Sequence, residues 1–327
     1  MAAEEETEKA VYIRVPRCIG GDEWLMLNLE KDVATPAGLE RNMKWPLMKC
    51  NQRSTQVALG SMIYYLGGVT LRGFFNTSDH DDVFCFDTRC PNKGLKKTIP
   101  MNSHRWNALA AALDGKIYVF AGRRSPYGEV FDPDRGLWAI LPEPPSDFLG
   151  TLLSDPSNAR LLAHSHDDLY AYYPASNSWK SLNVNLYHHW RDTPCVIVDD
   201  VIYFCFTPDP DDHTHCLAAY DLVSNQPLDI KWPSDSDFAS VFATIPDYGY
   251  NLWDVLHHLG NGKLYAAMSA RMNDTTPETE PEAAYAVLCL TLKVHKEPAG
   301  NTVLVTEPSS HWIRFLAAAP ARDFLIL

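Results

Sequence analysis

One strand-turn-strand pattern recurs along this chain, and it limits what the chain can fold into. The clearest copy begins with NALAAALDGKIYVFAG over 107–122 and continues with GEVFDPDRGLWAILP over 128–142. It predicts a strand of small residues, a tight turn at Asp114-Gly115, an apolar strand, a third strand ending in Phe-Asp-Pro and a fourth opened by Trp138. Four short strands cannot bury their own faces, so such a unit must pack against further copies of itself.

Further copies repeat the pattern with lower fidelity. An earlier copy contains VALGSMIYYLGG over 57–68, a degenerate copy occupies 161–182, and 11–15, 23–29 and 45–48 give three strands of an N-terminal copy. The Ile-Tyr or Leu-Tyr anchor of the second strand falls at Ile63, Ile117, Ile202 and Leu264. The Trp of the fourth strand recurs at Trp45, Trp138, Trp179, Trp232 and Trp312. These periods of roughly 40 to 60 residues are typical of β-propeller blades.

The amino-acid sequence of the best copies resembles a known repeat family. Leu66-Gly67-Gly68, Phe120-Ala121-Gly122, Phe131-Asp132-Pro133 and the spaced Trp residues resemble kelch repeats, and 111–120 is similar to the kelch domains of plant F-box/kelch proteins. The resemblance covers about 10–316. It implies an all-β, kelch-type β-propeller, in which we count six four-stranded blades.

The two ends of the chain are predicted to meet in one blade. A propeller closes its ring so that only short strand edges remain exposed. The tail 323–327 is strand-like, and we expect it to pair into the N-terminal blade, which otherwise has three strands. The alternative is a frayed tail. We therefore expect a disordered acidic N-terminus over 1–10 and a single propeller domain over 11–327.

An F-box, the helical module that often precedes a plant kelch ring, is not expected. Ten residues precede the first predicted strand, too few for three helices, and 30–43 can hold a short helix but lies inside a blade. The resemblance therefore does not extend to the usual role of a ubiquitin-ligase adaptor.

The charge and the distribution of apolar residues exclude several classes of partner. A formal charge of −13 argues against binding a nucleic-acid backbone. No apolar run is long enough to predict a membrane span, and the acidic start of the chain is unlike a targeting peptide. We expect a monomer in the cytoplasm or nucleus, with its eight Cys reduced.

Arg and aromatic residues precede the predicted innermost strands, where the mouth of the central channel should lie. Arg binds carboxylate or phosphate through a planar fork, and Trp is a frequent interface anchor. The predicted binding residues are Arg53, Arg105, Trp106, Trp190, Arg191 and Trp253. The alternative is that the Arg side chains hydrogen-bond to the backbone of neighbouring blades and serve the fold.

The same mouth contains residues that can move protons. His104, His189, Tyr250 and Asp254 are the candidate general acids and bases. No organic cofactor is expected. A pair of His residues, His213 and His215, lies in a loop rich in turn formers, and its spacing fits no standard closed metal site, so we expect no metal.

Two functions remain open from the sequence. The first is a recognition module that binds a protein or acidic peptide. The second is a cofactor-free isomerase, cyclase or lyase, or a binder of a small acidic or aromatic metabolite, in plant specialised metabolism. Specifier proteins of glucosinolate breakdown lack an F-box too, but their Glu-x-x-x-Asp-x-x-x-His iron motif is absent here. A broad face would favour recognition, and a deep pocket with shifted pKa values would favour catalysis.

Overall fold

The structure of the protein is a computed structural model, and its regular secondary structure is almost entirely β-strand. The residues that it describes are 10–15, 23–28, 39–43, 53–72, 76–122, 126–148, 152–165, 168–184, 194–206, 216–233, 255–271, 283–298, 300–317 and 322–326. Within them the helical elements are two short 3-10 turns, Pro91–Lys93 and Pro156–Asn158. None of the helical segments in this described part has the length or apolar character to cross a membrane.

The strands follow one another in antiparallel groups. The first groups are β1 (Ala10–Val15), β2 (Glu23–Asn28), β3 (Leu39–Met43), β4 (Thr55–Leu59), β5 (Met62–Leu66), β6 (Val69–Arg72), β7 (Asn76–Asp79), β8 (Val83–Asp87) and β9 (Lys96–Lys97). The central groups are β10 (Leu109–Leu113), β11 (Lys116–Phe120), β12 (Gly128–Asp132), β13 (Leu137–Ile140), β14 (Leu152–Asp155), β15 (Arg160–His164), β16 (Leu169–Tyr173) and β17 (Ser178–Ser181). The last groups are β18 (Cys195–Val198), β19 (Val201–Phe206), β20 (Cys216–Asp221), β21 (Gln226–Lys231), β22 (Val255–Gly260), β23 (Lys263–Arg271), β24 (Ala283–Lys296), β25 (Thr302–Ala317) and β26 (Arg322–Ile326).

The C-terminal strand closes the N-terminal sheet, as predicted. The strand order in this sheet is β26-β1-β2-β3, and Val11 of β1 lies opposite Ile326 of β26. The third strand, β3, covers 39–43, where the sequence suggested the end of a short helix, so that expectation was wrong for these residues. The predicted strand 45–48 lies outside the described residues.

Three further sheets have the predicted four strands, in the orders β4-β5-β8-β9, β10-β11-β12-β13 and β14-β15-β16-β17. Two elements were not anticipated. The hairpin β6–β7 is inserted between the second and third strands of its sheet, and β14 supplies a first strand for the degenerate copy. The remaining described strands form one sheet in the order β18-β19-β20-β21-β25-β24-β23-β22. The count of six blades stays a prediction.

The sheets are arranged around a ring. The first strands of successive sheets contact one another in the order β26, β4, β10, β14, β18 and β22, which makes them the innermost strands of a β-propeller. The second strands are buried on both faces. In β11, Ile117 and Val119 pack towards the preceding sheet, and Tyr118 and Phe120 pack towards the following one. This burial explains why the second strand of each repeat is a continuous apolar run rather than an alternating one.

Two of the fourth-strand Trp residues, Trp138 and Trp179, tie their sheets to the preceding ones. The indole Nε1 of Trp138 donates to the carbonyl oxygen of Ile99 at 3.0 Å, and that of Trp179 donates to the carbonyl oxygen of Pro142 at 3.1 Å. Both carbonyls belong to the segment that leaves the preceding sheet. At these two positions the recurring Trp is therefore explained by the same contact between neighbouring sheets.

The eight-stranded sheet has two antiparallel halves joined by parallel pairing of β21 with β25, in which Ile230 lies opposite Val303. A carboxylate, Asp221 at the end of β20, reinforces this junction. It accepts hydrogen bonds from Lys296 Nζ at 2.8 Å and from Ser224 Oγ at 2.6 Å. Its side chain is 4% exposed. Burial would raise the pKa of Asp221, but the bonds from Lys296, Ser224 and the Val223 amide lower that pKa overall.

A pH-dependent contribution to stability follows from this carboxylate. Because the folded pKa of Asp221 is depressed, its contribution is fully present above the unfolded pKa of about 3.9 and is lost as the pH falls through the folded pKa. We expect Asp221→Asn to lower the free energy of unfolding by about 1–3 kcal/mol at neutral pH and by progressively less below about pH 4. Urea unfolding across this pH range measures the difference. Asp229→Asn, at an exposed carboxylate of β21, is the control and should cost little at any pH.

Candidate functional site

The segments that precede β4 and β10 meet at one end of the propeller. Since Thr55 pairs with Leu66 and Leu109 pairs with Phe120, the loops that follow β5 and β11 lie at this same end, which we call the upper end. The amide of Asn107 donates to the carbonyl oxygen of Arg53 at 3.1 Å. These hydrogen bonds and pairings hold the segments ahead of two neighbouring innermost strands side by side.

Two of the predicted binding residues are brought together there. The guanidinium carbon of Arg53 lies 5.4 Å from the ring centroid of Trp106, within the range of a cation–π contact. Arg53 is exposed and Trp106 is half-buried, and His104, two residues before Trp106, is exposed. An exposed cation over a partly exposed aromatic ring can engage a carboxylate and an apolar group of one ligand.

The backbone holds this arrangement in place. Arg53 and Asn107 have positive φ angles of 56° and 48°, so both segments turn sharply before entering their strands. The Oγ1 of Thr55 donates to the carbonyl oxygen of Ala108 at 2.8 Å, which fixes the first residue of β4 to the residue ahead of β10. The Arg53–Trp106 pair therefore rests on rigid neighbouring strands rather than on a long loop.

Arg105 has a different environment from Arg53. Its residue exposure is 0%, and its guanidinium pairs with Glu129, whose Oε1 lies 3.1 Å from Nε and 2.9 Å from Nη2. It also donates to the carbonyl oxygens of Ala121, Pro126 and Tyr127. The structure thus places Arg105 in the fold-stabilising role that the sequence left open as the alternative. This burial removes it from the exposed surface where a ligand would bind.

Glu129 was not singled out from the sequence, although it organises this end of the sheet. It is 0% exposed, and its Oε2 accepts hydrogen bonds at 2.7 Å from both the backbone N–H and the Nδ2 of Asn102. A charged residue inside the strand GEVFD, directly before the apolar pair Val130-Phe131, was the available signal. Because a buried charge must be paired, that position predicts a buried cationic partner.

The signature glycines make room for the Arg105 segment. The Gly68 amide donates to the carbonyl oxygen of Arg105 at 2.7 Å. A Cβ added at Gly67, where φ is +62°, would lie 2.2 Å from the same oxygen. A Cβ at Gly122, where φ is +95°, would lie 3.1 Å from the Arg105 Cβ. These two glycines allow the segment ahead of β10 to pack directly against the ends of β5 and β11.

The other predicted site residues cannot be placed. His189, Trp190, Arg191, Tyr250, Trp253 and Asp254 lie outside the described residues. The loop with His213 and His215 also lies outside them. In the part of the chain that is described, no group of three or more His, Cys, Asp or Glu is arranged to hold a metal ion.

The buried thiols and phenols are not activated. Burial raises the pKa of the Cys289 thiol to about 12 and that of the Tyr172 phenol to about 12. Burial likewise raises the pKa of Cys85 and of Cys205. An activated nucleophile needs a lowered pKa, so these groups are core residues rather than reactive ones.

The comparisons with known proteins give plant kelch proteins as relatives. No family model matches the chain. One putative F-box/kelch-repeat protein of Arabidopsis thaliana is 29% identical over 164 residues, which cover 46% of this chain and 37% of that protein. A second is 26% identical over 220 residues, covering 64% and 51%. A kelch repeat-containing protein of the same plant is 29% identical over 196 residues, covering 54% and 42%. The chain thus spans about half the length of these relatives, or less.

A solved structure has the same fold. The structure of YjhT matches with a TM-score of 0.54 at 11% identity, covering 87% of this chain and 91% of that one. At this identity the match concerns the fold alone. Together with the curated relatives, it shows that the chain is kelch-like and has the predicted all-β propeller fold.

Proposed function

We propose that this kelch-like chain is a recognition module that binds a protein partner at the upper end of the propeller. The observation that carries the proposal is the Arg53–Trp106 pair, which spans two neighbouring sheets and leaves its cation exposed. Its kelch-repeat relatives in Arabidopsis support an interaction module of this kind. Side chains presented from the loops of a rigid scaffold are the usual location of a binding site.

The chemistry of the upper end limits the kind of segment that a partner can place there. Arg53 offers a fork for one carboxylate, and the Trp106 ring offers a flat apolar surface beside it. The end of β7 and the segment after it bring Asp79, His80 and Asp81 to the same end, because the His80 amide donates to the carbonyl oxygen of Gly68 just after β5. This surface is therefore not uniformly positive. A segment with one acidic residue next to an apolar side chain fits this surface better than a continuous acidic run.

The enzyme alternative gains no support from the described residues. Of its four proposed catalytic residues, His104 alone lies among them, as an exposed side chain. The strongly raised pKa values belong to thiols and phenols in the core, where burial suppresses reactivity. We therefore propose recognition of a protein partner, rather than catalysis, as the function.

Substitutions at the Arg53–Trp106 pair test the proposal. We expect Arg53→Ala and Trp106→Ala each to weaken binding of the partner by ten-fold or more, because truncation of an interface anchor typically costs about 2 kcal/mol or more. Partners are captured from plant extract and quantified by mass spectrometry with each variant as bait. The Kd of each purified candidate is then measured by calorimetry.

Arg89→Ala is the matched control for these variants. Arg89 is also an exposed Arg, but it follows the end of β8, and the pairing of Met62 with Asp87 places that end opposite to the upper end. A partner that binds wild type, Arg53→Ala and Trp106→Ala with equal affinity would exclude the upper end as its site.

A further inference from the structure

One outer strand of the propeller presents an unprotected apolar edge. β13 is the last strand in the sheet order β10-β11-β12-β13, and its sequence is Leu-Trp-Ala-Ile. Leu137 is 62% exposed and Ile140 is 63% exposed. Ile99, at 45% exposure, adds to this apolar surface, because its carbonyl oxygen accepts the hydrogen bond from the Trp138 indole.

The outermost strands of the other propeller sheets in the described part of the chain carry protective residues. β9 consists of Lys96 and Lys97, β17 contains Lys180, and β3 contains Glu40 and Arg41. β21 contains a Pro and two charged residues, and its edge is already paired with β25. Natural edges are usually blunted by charge, Pro or short length, because an exposed apolar edge invites pairing with another strand.

The hydrogen-bond pattern shows which backbone groups of β13 point outward. The Leu141 amide donates to the Gly128 carbonyl oxygen at 3.0 Å, and residues along an antiparallel strand alternate between facing their partner and facing away. Leu137, Ala139 and Leu141 therefore direct their backbone groups towards β12. The backbone groups of Trp138 and Ile140 point away from β12, where no described strand pairs with them.

We propose that β13 pairs antiparallel with β13 of a second copy of this chain, about a two-fold axis at Ala139. In this register Trp138 of each copy exchanges backbone hydrogen bonds with Ile140 of the other. The exposed Ile140 side chain then covers the Trp138 indole across the axis, and Leu137 lies beside Leu141. The pairing buries the exposed apolar side chains of β13 in one step.

Charge complementarity favours this register. Arg135, in the turn that precedes β13, and Glu143, just after β13, are both exposed, and the register brings the Arg135 turn of each copy towards Glu143 of the other. The Nε of Arg135 lies 3.8 Å from Asp132 of its own turn, an exposed ion pair of little energy that leaves the guanidinium able to reach the Glu143 carboxylate. A shift by one residue would bring inward-directed backbone groups to the edge. A shift by two towards the C-terminus would set Pro142, which has no N–H, opposite Trp138. The Trp138–Ile140 register avoids both defects.

The contact is small, so the dimer should be weak, and the monomer expected from the sequence should predominate at low protein concentration. A four-residue edge lies below the size of a standard stable interface, which predicts reversible association that depends on protein concentration. β13 is the outermost strand of its sheet, whereas Trp106 lies ahead of the innermost strand, β10. The dimer therefore leaves the Arg53–Trp106 pair available, and it would stand even if the proposed partner binding failed.

Disulfide trapping tests the register. Ala139 lies on the two-fold axis in a non-hydrogen-bonded pair, where Cα atoms are about 4.5 Å apart, a separation that a disulfide can bridge. We expect Ala139→Cys to form a covalent dimer under mild oxidation, because residue 139 of one copy lies opposite residue 139 of the other. The matched variant Leu137→Cys should stay uncrosslinked, because residue 137 of one copy lies opposite Leu141 of the other. Wild type, with its native Cys, is run beside both. If the Leu137→Cys variant crosslinked and the Ala139→Cys variant did not, the proposed register would be wrong.

Charge reversal tests the interface itself. By sedimentation equilibrium over the micromolar range, we expect a concentration-dependent dimer that is weakened several-fold by Glu143→Arg and by Arg135→Glu. The double variant should restore it, since the opposite charges face each other again. Both residues are exposed, so thermal unfolding should confirm that each variant remains folded. A wild-type protein that stays monomeric throughout the range, or a dimer indifferent to both reversals, would overturn the proposal.

Discussion

Removal of the C-terminal strand is expected to cause the largest loss of stability in this protein. We expect a variant ending at 321, without β26, to lose cooperative unfolding or to unfold at much lower urea concentration than wild type. Strand β26 lies opposite β1 at four residue pairs and contacts β4 of the next sheet. Its backbone hydrogen bonds alone contribute about 2–6 kcal/mol.

The loss should exceed this figure because β26 is an innermost strand. Without it, the edge of β1 is unpaired, and its core side chains Val11 and Ile13, both 0% exposed, lose the strand beside them. The closing contact of the ring with β4 is lost as well. Deletion of Leu327 alone is the control, since it leaves all of β26, and it should change the urea midpoint little. Equal midpoints for the two deletions would mean that the ring does not depend on this closure.

The closure could be predicted from the sequence because it follows from the periodicity of the strands and from the number of strands in each copy. The anchors Ile63, Ile117, Ile202 and Leu264 are all 0% exposed in the structure, as a twice-buried second strand requires. Since the N-terminal copy lacked one strand and the tail was strand-like, pairing of the tail with β1 was the simplest way to complete it. These inferences depend on local pattern, which a single sequence reveals well.

Pairings that depend on the assembled ring were not predictable. Strand β14, whose sequence is Leu-Leu-Ser-Asp, has no small-residue pattern and is recognised as a strand through its pairing with β15. The parallel contact of β21 with β25 joins residues far apart in the chain, such as Asp229 and Thr302. No periodicity in either strand encodes such a contact, because it depends on how two neighbouring sheets are placed.

The contrast between Arg53 and Arg105 shows that two Arg residues ahead of innermost strands occupy different structural positions. The sequence treated them alike, but Arg53 lies two residues before β4, whereas Arg105 lies four residues before β10. The counterpart of Arg53 ahead of β10 is therefore Asn107, and both residues have positive φ angles. Arg105 instead reaches the buried Glu129 of the third strand, which lies opposite Val119. A single sequence does not reveal this offset of two residues, because it depends on where the first strand of each sheet begins.

We expect Arg105→Ala to destabilise the protein by about 3–5 kcal/mol, the cost of leaving one member of a buried ion pair without its partner. The side chains of Arg105 and Glu129 are 1% and 0% exposed, so the substitution leaves the Glu129 carboxylate buried without its cationic partner. Arg105→Lys should be nearly as damaging, because one ammonium cannot reproduce the planar fork that reaches Glu129 and three carbonyl oxygens. Urea unfolding of both variants measures these losses.

The double variant Arg105→Ala/Glu129→Ala separates ion pairing from the rest of the network. We expect it to be less destabilised than the sum of its single variants, because removal of both charges leaves neither one buried alone. It should not recover wild-type stability, since the carbonyl oxygens of Ala121, Pro126 and Tyr127 and the amide of Asn102 also lose their partner. Arg89→Ala, which breaks an exposed ion pair with Asp87, is the control and should leave the midpoint unchanged.

The same variants distinguish the proposed binding role of Arg53 from the structural role of Arg105. Arg105→Ala should lower stability and affect partner binding only as far as it unfolds the protein, whereas Arg53→Ala should weaken binding without moving the unfolding midpoint. An Arg105→Ala protein with wild-type stability and lost binding would reverse this assignment. It would place the ligand at the buried pair, and Glu129 would then have to exchange its contact with Arg105 for one with the partner.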